Sequence, residues 1–222
     1  MRIRRKKHLE ERLDKAGDIL IVPKRDILNV NLAIEQKNYY DFSKIFGNEN
    51  PVSLEIGCGK GGFISRVAKE NPNENFLAVE MLENIIVMAC ELCKSQGLTN
   101  VRFINTGAEY LPRYIKENSI SKLYLNFSPP FPKQGSERKR LTSDDFVCAY
   151  KNFLVPGGKI FQKTDDKEFF EYSLNKFLEH GFKVENITDK IRKGQIYNIE
   201  TEYEKMFKKL NITAHGLIAT KI

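Results

Sequence analysis

The sequence contains no run of apolar residues approaching the ~18 that a membrane-spanning helix needs. Its first residues also lack the apolar stretch of a secretory signal, so we expect a cytoplasmic protein. Cysteines are few, and only Cys90 and Cys93 have the spacing of a CxxC pair. Because Cys58 and Cys148 form no second pair at matching spacing, a zinc site is not indicated. We expect free, mostly buried thiols and no bound metal.

Acidic residues are outnumbered, since 36 Lys and Arg accompany 29 Asp and Glu and give a formal net charge of +7. Cations without any acid fill much of the first seven residues: Arg2, Arg4, Arg5, Lys6 and Lys7. A second basic cluster comprises Lys133, Arg138, Lys139 and Arg140. Such clusters favour a polyanionic partner, because each neutralised phosphate releases a condensed counterion. A solvated terminus would explain the first cluster equally well, but two separate clusters favour nucleic acid.

Segments with the apolar pattern of strands alternate with segments of helical spacing. The predicted strands are Pro51–Ile56, Phe76–Val79, Val101–Ile104, Lys122–Phe127, Lys159–Lys163, Phe182–Ile187 and Thr213–Thr220. Helices are predicted from about Gly61, over Leu82–Leu92 with Gly97 closing the helix, around Phe146–Phe153, over Leu174–Leu178 and around Glu202–Leu210. This alternation predicts an α/β fold, with a doubly wound, mostly parallel seven-stranded sheet, helices on both faces and an antiparallel strand at the C-terminal end. We expect one domain over residues 31–222, preceded by a basic, flexible arm over residues 1–30.

A glycine-rich turn follows the first predicted strand and reads Gly57-Cys58-Gly59-Lys60-Gly61-Gly62. Glycines there let the backbone approach a ligand closely, although their spacing also fits a dinucleotide-binding fingerprint. Glu55 favours a different ligand, because a carboxylate beside the turn repels a pyrophosphate and attracts an ammonium group. S-adenosylmethionine carries that ammonium and no phosphate. We therefore predict that Glu55, Gly57 and Gly59 bind S-adenosylmethionine.

Two further polar residues follow the next predicted strands. Glu80 ends the second strand, where an acid can accept hydrogen bonds from both hydroxyls of a ribose. Asn105 ends the third strand, within reach of an adenine edge. Each alone could be an ordinary exposed strand-end residue. Together with Glu55 and the glycine-rich turn, Glu80 and Asn105 resemble the nucleoside-binding half of class I methyltransferases, and they complete the predicted cofactor site.

Three more motifs lie where ligands are expected in a doubly wound fold, after the fourth and fifth strands and near the C-terminus. They read Asn126-Phe127-Ser128-Pro129-Pro130-Phe131-Pro132-Lys133, Thr164-Asp165-Asp166 and Thr201-Glu202-Tyr203-Glu204. Their order and spacing after the Leu54–Ile64 segment resemble those of the bacterial tRNA (guanine-N7-)-methyltransferase family. The resemblance covers essentially the whole chain from Glu55 onward, and the basic N-terminus is compatible with it.

This resemblance implies an S-adenosylmethionine-dependent enzyme that methylates N7 of a guanosine in the variable loop of tRNA. It implies cofactor contacts at Glu55 and Glu80, and substrate contacts at Lys133, Asp165, Thr201, Glu202, Tyr203 and Glu204. Asp165 is the candidate catalytic residue, because a carboxylate on the guanine N1–H and N2–H edge would stabilise the positive charge that develops on methylation. Both a monomer and a homodimer are compatible with the sequence, which does not identify the tRNAs that serve as substrates.

The chain departs from the family pattern in two places. Pro129 and Phe131 stand where the family usually has Asp and Trp, and Gly107 stands where an acid often lies near the adenine. Guanine N7 carries an in-plane lone pair and no proton, so its attack on a methyl group needs no general base. An acid at position 129 is therefore not required as a proton acceptor.

Other interpretations of the same motifs remain open. Ser128-Pro129-Pro130-Phe131 also resembles the loop of enzymes that methylate exocyclic amino groups, at cytosine N4 or adenine N6. A non-catalytic RNA-binding module or an NAD-binding protein is a third possibility. Asp165 and Asp166 could cap a helix, and Thr201-x-x-Glu204 has the spacing of a capping box. The presence of all motifs in one order favours methylation at N7.

Overall fold

The computed structural model of the protein describes residues 6–24, 27, 29–133, 135–188 and 214–222. Within them the helices are Leu9–Ala16 (α1), Val30–Glu35 (α2), Phe42–Phe46 (α3), Gly62–Glu70 (α4), Glu83–Ser95 (α5), Leu111–Tyr114 (α6), Asp144–Phe153 (α7) and Lys167–Glu179 (α8). The strands are Leu20–Ile21 (β1), Val52–Ile56 (β2), Asn75–Val79 (β3), Val101–Ile104 (β4), Ile120–Asn126 (β5), Leu154–Thr164 (β6), Phe182–Thr188 (β7) and His215–Lys221 (β8). The chain divides into two compact units, Met1–Ile115 and Lys116–Ile222.

The first unit contains four parallel strands in the order β1-β4-β3-β2. Every residue of β2 and β3 is buried, as expected of parallel strands that are covered on both faces. Ile56 pairs with Val79, and Val79 pairs with Ile104, so β2, β3 and β4 end at the same level. The residues that follow these three ends are consequently neighbours in space.

Helix α5 ends as the sequence predicts, at a glycine in the left-handed region. Gly97 has φ 67°, and its N–H donates to the carbonyl of Lys94 at 3.0 Å. The N–H of Leu98 donates to the carbonyl of Cys93 at 3.1 Å, which completes the paired bonds of a Schellman motif. Gly61 is needed for another reason, because a Cβ there would lie 2.8 Å from the Cβ of Ala89 on α5.

Helix α1 is held against α5 by directed polar contacts. The guanidinium of Arg12 donates to both carboxylate oxygens of Glu91, at 2.6 and 2.7 Å. The ammonium of Lys94 donates to the carbonyls of Lys15 and Ala16, at 2.9 and 3.2 Å. Part of the segment predicted to be a flexible arm therefore has a defined contact surface. The division into an arm over residues 1–30 and a domain over residues 31–222 stays a prediction.

The second unit has strand order β5-β6-β8-β7. Strands β5 and β6 are parallel, whereas β8 is antiparallel to both β6 and β7. Asp166 is the N-cap of helix α8, and its carboxylate accepts the N–H of Phe169 at 2.8 Å. This side-chain cap satisfies one of the free N–H groups in the first turn of the helix.

The predicted fold class, α/β with mostly parallel strands and an antiparallel strand at the C-terminal end, is confirmed. The predicted number of seven strands is too low, because the described residues include an eighth, β1. Two residues are too few for a recognisable alternation, which is why the sequence did not reveal β1. The helix predicted around Glu202–Leu210 lies outside the described residues.

Among the described residues, no helix is both long and apolar enough to cross a membrane. Of the four cysteines, Cys58, Cys90 and Cys93 are buried and Cys148 is exposed, and all four are free. The prediction of free, mostly buried thiols is therefore confirmed.

Candidate functional site

In the first unit, the aligned carboxyl ends of β2, β3 and β4 bring together the residues predicted to bind a cofactor. Glu55 is the penultimate residue of β2, Glu80 directly follows β3, and Asn105 directly follows β4. The strand register makes these positions neighbours along one edge. Ligands of doubly wound folds bind at this edge, outside the carboxyl ends of the strands.

The turn after β2 forms an open cradle of backbone. Gly57 and Gly59 have φ values of 80° and 55°, a region that side chains disfavour. The N–H groups of Gly57 and Cys58 both donate to the carbonyl of Val79, at 2.8 and 3.0 Å, which fixes the turn against β3. A Cβ added at either glycine would meet no atom of the described residues within 4 Å. These residues therefore leave space beside the turn for a ligand.

The electrostatics of this cradle favour a cation. Glu55 is only 2% exposed, although it carries a carboxyl group. Burial raises the pKa of the Cys58 thiol well above its usual value, and the negative charges of Glu55 and Glu80 raise this pKa further. Both carboxylates thus act on one atom of the turn. A sulfonium or an ammonium group would be stabilised there, whereas a pyrophosphate would be repelled.

Glu80 and Asn105 are oriented by bonds to their surroundings. One carboxylate oxygen of Glu80 accepts the N–H of Leu82 at 3.0 Å, which holds the group at the end of β3. The side-chain amide of Asn105 donates to the Glu80 carbonyl at 2.9 Å. Asn105 is 2% exposed, and its Oδ1 has no hydrogen-bond partner among the described residues. A buried acceptor of this kind costs free energy unless a ligand donates to it.

Gly107, in the loop after β4, lies close to the carboxylate of a nearby residue. The side chain of Glu109 folds back over Gly107 and occupies the place where a Cβ would project. The loop after β4 therefore still presents a carboxylate, supplied from two positions further along the chain. Sequence reasoning missed Glu109, because only the geometry of the short turn at Ala108–Tyr110 directs its side chain to this place.

In the second unit, the loop after β5 has an unusual backbone. Phe127 and Phe131 have φ values of 52° and 44°, although neither is glycine. The N–H of Phe127 donates to the carbonyl of Lys163 on β6 at 2.8 Å. The Ser128 hydroxyl is buried and has no hydrogen-bond partner within the ranges that the structure describes. Strained backbone with unused polar groups is typical of functional loops.

Asp165 and Asp166 have different roles in the structure. Asp166 caps α8, as described above, and its own N–H donates to the Thr164 hydroxyl at 3.1 Å. Asp165 is exposed, and in the part of the chain described here it makes no hydrogen bond or ion pair. The capping interpretation therefore applies to Asp166, whereas Asp165 is exposed and does not cap the helix.

The four cations of the second basic cluster differ in their exposure to solvent. Lys133, Arg138 and Lys139 are exposed, as phosphate-binding residues would be. Arg140 is half-buried, and its guanidinium donates to backbone carbonyls of the loop after β5. Sequence alone does not reveal these bonds to backbone carbonyls, and the membership of Arg140 in a phosphate-binding cluster stays a prediction. Thr201, Glu202, Tyr203 and Glu204 lie outside the described residues, and their predicted substrate contacts stay predictions.

Comparisons with known proteins identify the family. The family model described as "Putative methyltransferase" matches residues 49–217. The tRNA (guanine-N(7)-)-methyltransferase of Bacillus subtilis strain 168 is 37% identical over 185 residues, which cover 82% of this chain and 87% of the relative. The chain belongs to this methyltransferase family. The family enzyme of Listeria monocytogenes serotype 4b strain F2365 is 36% identical over 200 residues, which cover 88% of this chain and 94% of the relative.

Solved structures agree with this family at the level of the fold. The 16S rRNA methyltransferase KamB has a TM-score of 0.64 and 16% identity, and the match covers 83% of this chain and 95% of KamB. A methyltransferase from Aquifex aeolicus described as SAM-dependent has a TM-score of 0.55 and 13% identity, covering 88% of this chain and all of that one. At such identities the likeness concerns the methyltransferase fold alone.

Proposed function

We propose that this chain transfers a methyl group from S-adenosylmethionine to N7 of a guanosine in the variable loop of tRNA. The observation that carries the proposal is the cradle of Gly57 and Gly59, which is open to a ligand and bordered by the carboxylates of Glu55 and Glu80. The family assignment supports the choice of tRNA and of guanine N7, since relatives with that activity cover most of the chain.

The residues present fit S-adenosylmethionine, which supplies an electrophilic methyl group on a sulfonium. Glu55 and Glu80 would hold the ammonium and the ribose hydroxyls, respectively. The orphaned Oδ1 of Asn105 would accept a hydrogen bond from the adenosine, which offers N–H and O–H donors. Gly57 and Gly59 leave room for close approach of the ligand to the backbone.

The residues of the second unit would bind and orient the guanosine. Asp165 would accept the N1–H and N2–H donors of the guanine edge and stabilise the cationic purine that forms. Lys133 would neutralise a phosphate and set the position of the RNA without reading its sequence. Phe131 offers an aromatic face to a base that is splayed out of its stack. No side chain has to remove a proton, because guanine N7 carries none.

The rate enhancement would come mainly from placement. Holding the N7 lone pair in line with the methyl group can contribute about 7–11 kcal/mol in well-oriented systems. The N-terminal cations would add sequence-independent attraction for RNA. Free thiols and a tRNA substrate are both compatible with the cytoplasm, which is where we propose that the protein acts.

Nucleoside mass spectrometry is the direct test of this proposal. Unmodified tRNA is incubated with the protein and S-adenosylmethionine that carries a labelled methyl group, and the RNA is then digested. We expect labelled 7-methylguanosine, and we expect its loss when the variable-loop guanosine is replaced by adenosine. Labelled N4-methylcytidine or N6-methyladenosine would instead assign the chain to exocyclic-amino methylation. Tight binding of NAD without binding of S-adenosylmethionine would exclude methyl transfer altogether.

A further inference from the structure

The loop that follows β5 needs an external support. Phe127 and Phe131 both lie in the left-handed region, which is unfavourable for residues other than glycine. The hydrogen bond from Phe127 to Lys163 holds the beginning of the loop. Its far end, at Pro130 and Phe131, is held by a different group.

That group is the guanidinium of Arg140. Its Nε donates to the carbonyl of Pro130 at 2.8 Å, and its Nη2 lies 3.4 Å from the carbonyl of Phe131. The backbone of Arg140 is itself fixed, because its N–H donates to Glu137 and its carbonyl accepts the N–H of Ser143. The planar fork of a guanidinium can hold two adjacent carbonyls at once, which an ammonium does not do with the same geometry.

The other face of the support is an aromatic ring on α8. The guanidinium carbon of Arg140 lies 4.5 Å from the ring centroid of Tyr172. Burial raises the pKa of Tyr172 above its usual value, so the phenol under the guanidinium stays neutral. Tyr172 lies on α8, the helix that Asp166 caps. Asp165 directly precedes this cap. One guanidinium thus connects the strained loop to the helix that follows the candidate catalytic carboxylate.

We propose that Arg140 is a positioning residue, which holds the Phe127–Pro132 loop and α8 in the relative geometry that the guanosine requires. The inference rests on the proposed function and goes beyond it, because it assigns to methyl transfer a residue that makes no contact with RNA. A guanidinium that makes these contacts orients the loop and α8, and it does not neutralise a phosphate. Arg138 lies two residues earlier and is exposed, so it serves as the comparison residue for the effect of a solvent-exposed cation.

The test compares Arg140→Lys with Arg138→Gln in single-turnover methylation of unmodified tRNA. We expect Arg140→Lys to lower the methylation rate at saturating tRNA about 10- to 100-fold, the range that small misplacements of reacting groups produce. Its tRNA affinity should stay within about threefold, and its slope of log affinity against log salt should not change. Arg138→Gln should reduce that slope by up to about 0.9, because one phosphate contact is lost.

Two further variants separate positioning from a general loss of structure. Tyr172→Phe keeps the ring face and should keep the rate, whereas Tyr172→Ala should lose about as much as Arg140→Lys. Free guanidinium ion should restore part of the rate of Arg140→Ala, and ammonium should not. Thermal unfolding and cofactor affinity should match the wild type for Arg140→Lys.

The proposal is overturned if Arg140→Lys keeps the saturated rate, or if Arg140→Gln reduces the salt slope as much as Arg138→Gln does, because Arg140 would then bind phosphate. It is also overturned if Arg140→Lys and Tyr172→Ala lower cofactor affinity and unfolding temperature in step with the rate. In both cases the wild-type product would still be 7-methylguanosine. Failure of the proposed function would appear as a different product, or none, from the wild type.

Discussion

The two units expose their candidate ligand-binding groups to solvent to different degrees. In the first unit, Glu55 and Asn105 are both 2% exposed, and the turn between β2 and α4 is fixed by backbone hydrogen bonds. In the second unit, Lys133 and Asp165 are exposed, and the loop after β5 is strained and supported by a side chain. A small ligand can be bound by buried groups that are already in place. Groups that bind a folded RNA have to be exposed, and Lys133 and Asp165, the proposed RNA contacts, meet this condition.

Removing the charge of Asp165 is the strongest test of this difference between the two units. We expect Asp165→Asn to lower kcat/KM about 100-fold, or about 2.7 kcal/mol, because one stabiliser of the developing charge is lost. Cofactor affinity should not change. The control is Asp166→Asn, which keeps a good cap on α8 and should keep most of the activity. Single-turnover methylation measures both rates, and equal losses in the two variants would refute a special role for Asp165.

Removing the carboxylate of Glu80 should weaken binding of the cofactor and leave binding of tRNA unchanged. We expect Glu80→Ala to weaken binding of S-adenosylmethionine by about 1.5–3 kcal/mol, the usual contribution of a charge-assisted hydrogen bond. Affinity for tRNA should stay at the wild-type value. Glu83→Gln, an exposed acid on the first turn of α5, is the matched control and should bind the cofactor normally. Calorimetry separates the two variants, and an unchanged Glu80→Ala would place the ribose elsewhere.

The smallest effect is expected at Pro129, which is exposed within the strained loop. Introducing the acid that the family pattern implies, in Pro129→Asp, should change the methylation rate by less than about tenfold, or 1.4 kcal/mol. The reason is that N7 has no proton for an acid or base to handle. Pro129→Ala controls for the loss of the proline ring. A hundredfold gain in Pro129→Asp would mean that charge stabilisation in this chain is incomplete without an acid at that position.

The placement of the candidate cofactor residues was largely predictable from sequence, because they follow strands whose apolar pattern is unambiguous. Glu80 and Asn105 are placed by the ends of β3 and β4, and strand ends of a parallel sheet meet at one edge. The substrate side was predictable only in outline. Sequence does not distinguish Asp165 from Asp166 as the helix cap, since a shift of one residue in the start of α8 exchanges their roles.

Arg140 and the N-terminal segment were not predictable, for related physical reasons. Arg140 donates hydrogen bonds to backbone carbonyls. Every residue has such a carbonyl, so the sequence does not indicate which one is the acceptor. Helix α1 has eight residues and β1 has two, so their apolar patterns are too short to stand out from a charged segment. Both are stabilised by tertiary contacts, such as the pair between Arg12 and Glu91, which no local pattern contains.

The docking of α1 on α5 sets a limit on where the N-terminal cations can act. The N–H of Lys6 donates to the Asn84 side chain at 2.8 Å, so the chain is anchored close to the first turn of α5. Four residues of extended chain span at most about 14 Å, so the backbone of Arg2 cannot leave a sphere of that radius around Lys6. Any phosphate that Arg2 neutralises lies within this sphere plus one arginine side chain. A cross-linker carried at position 2 would therefore mark the part of a bound tRNA that comes within this distance of the first turn of α5.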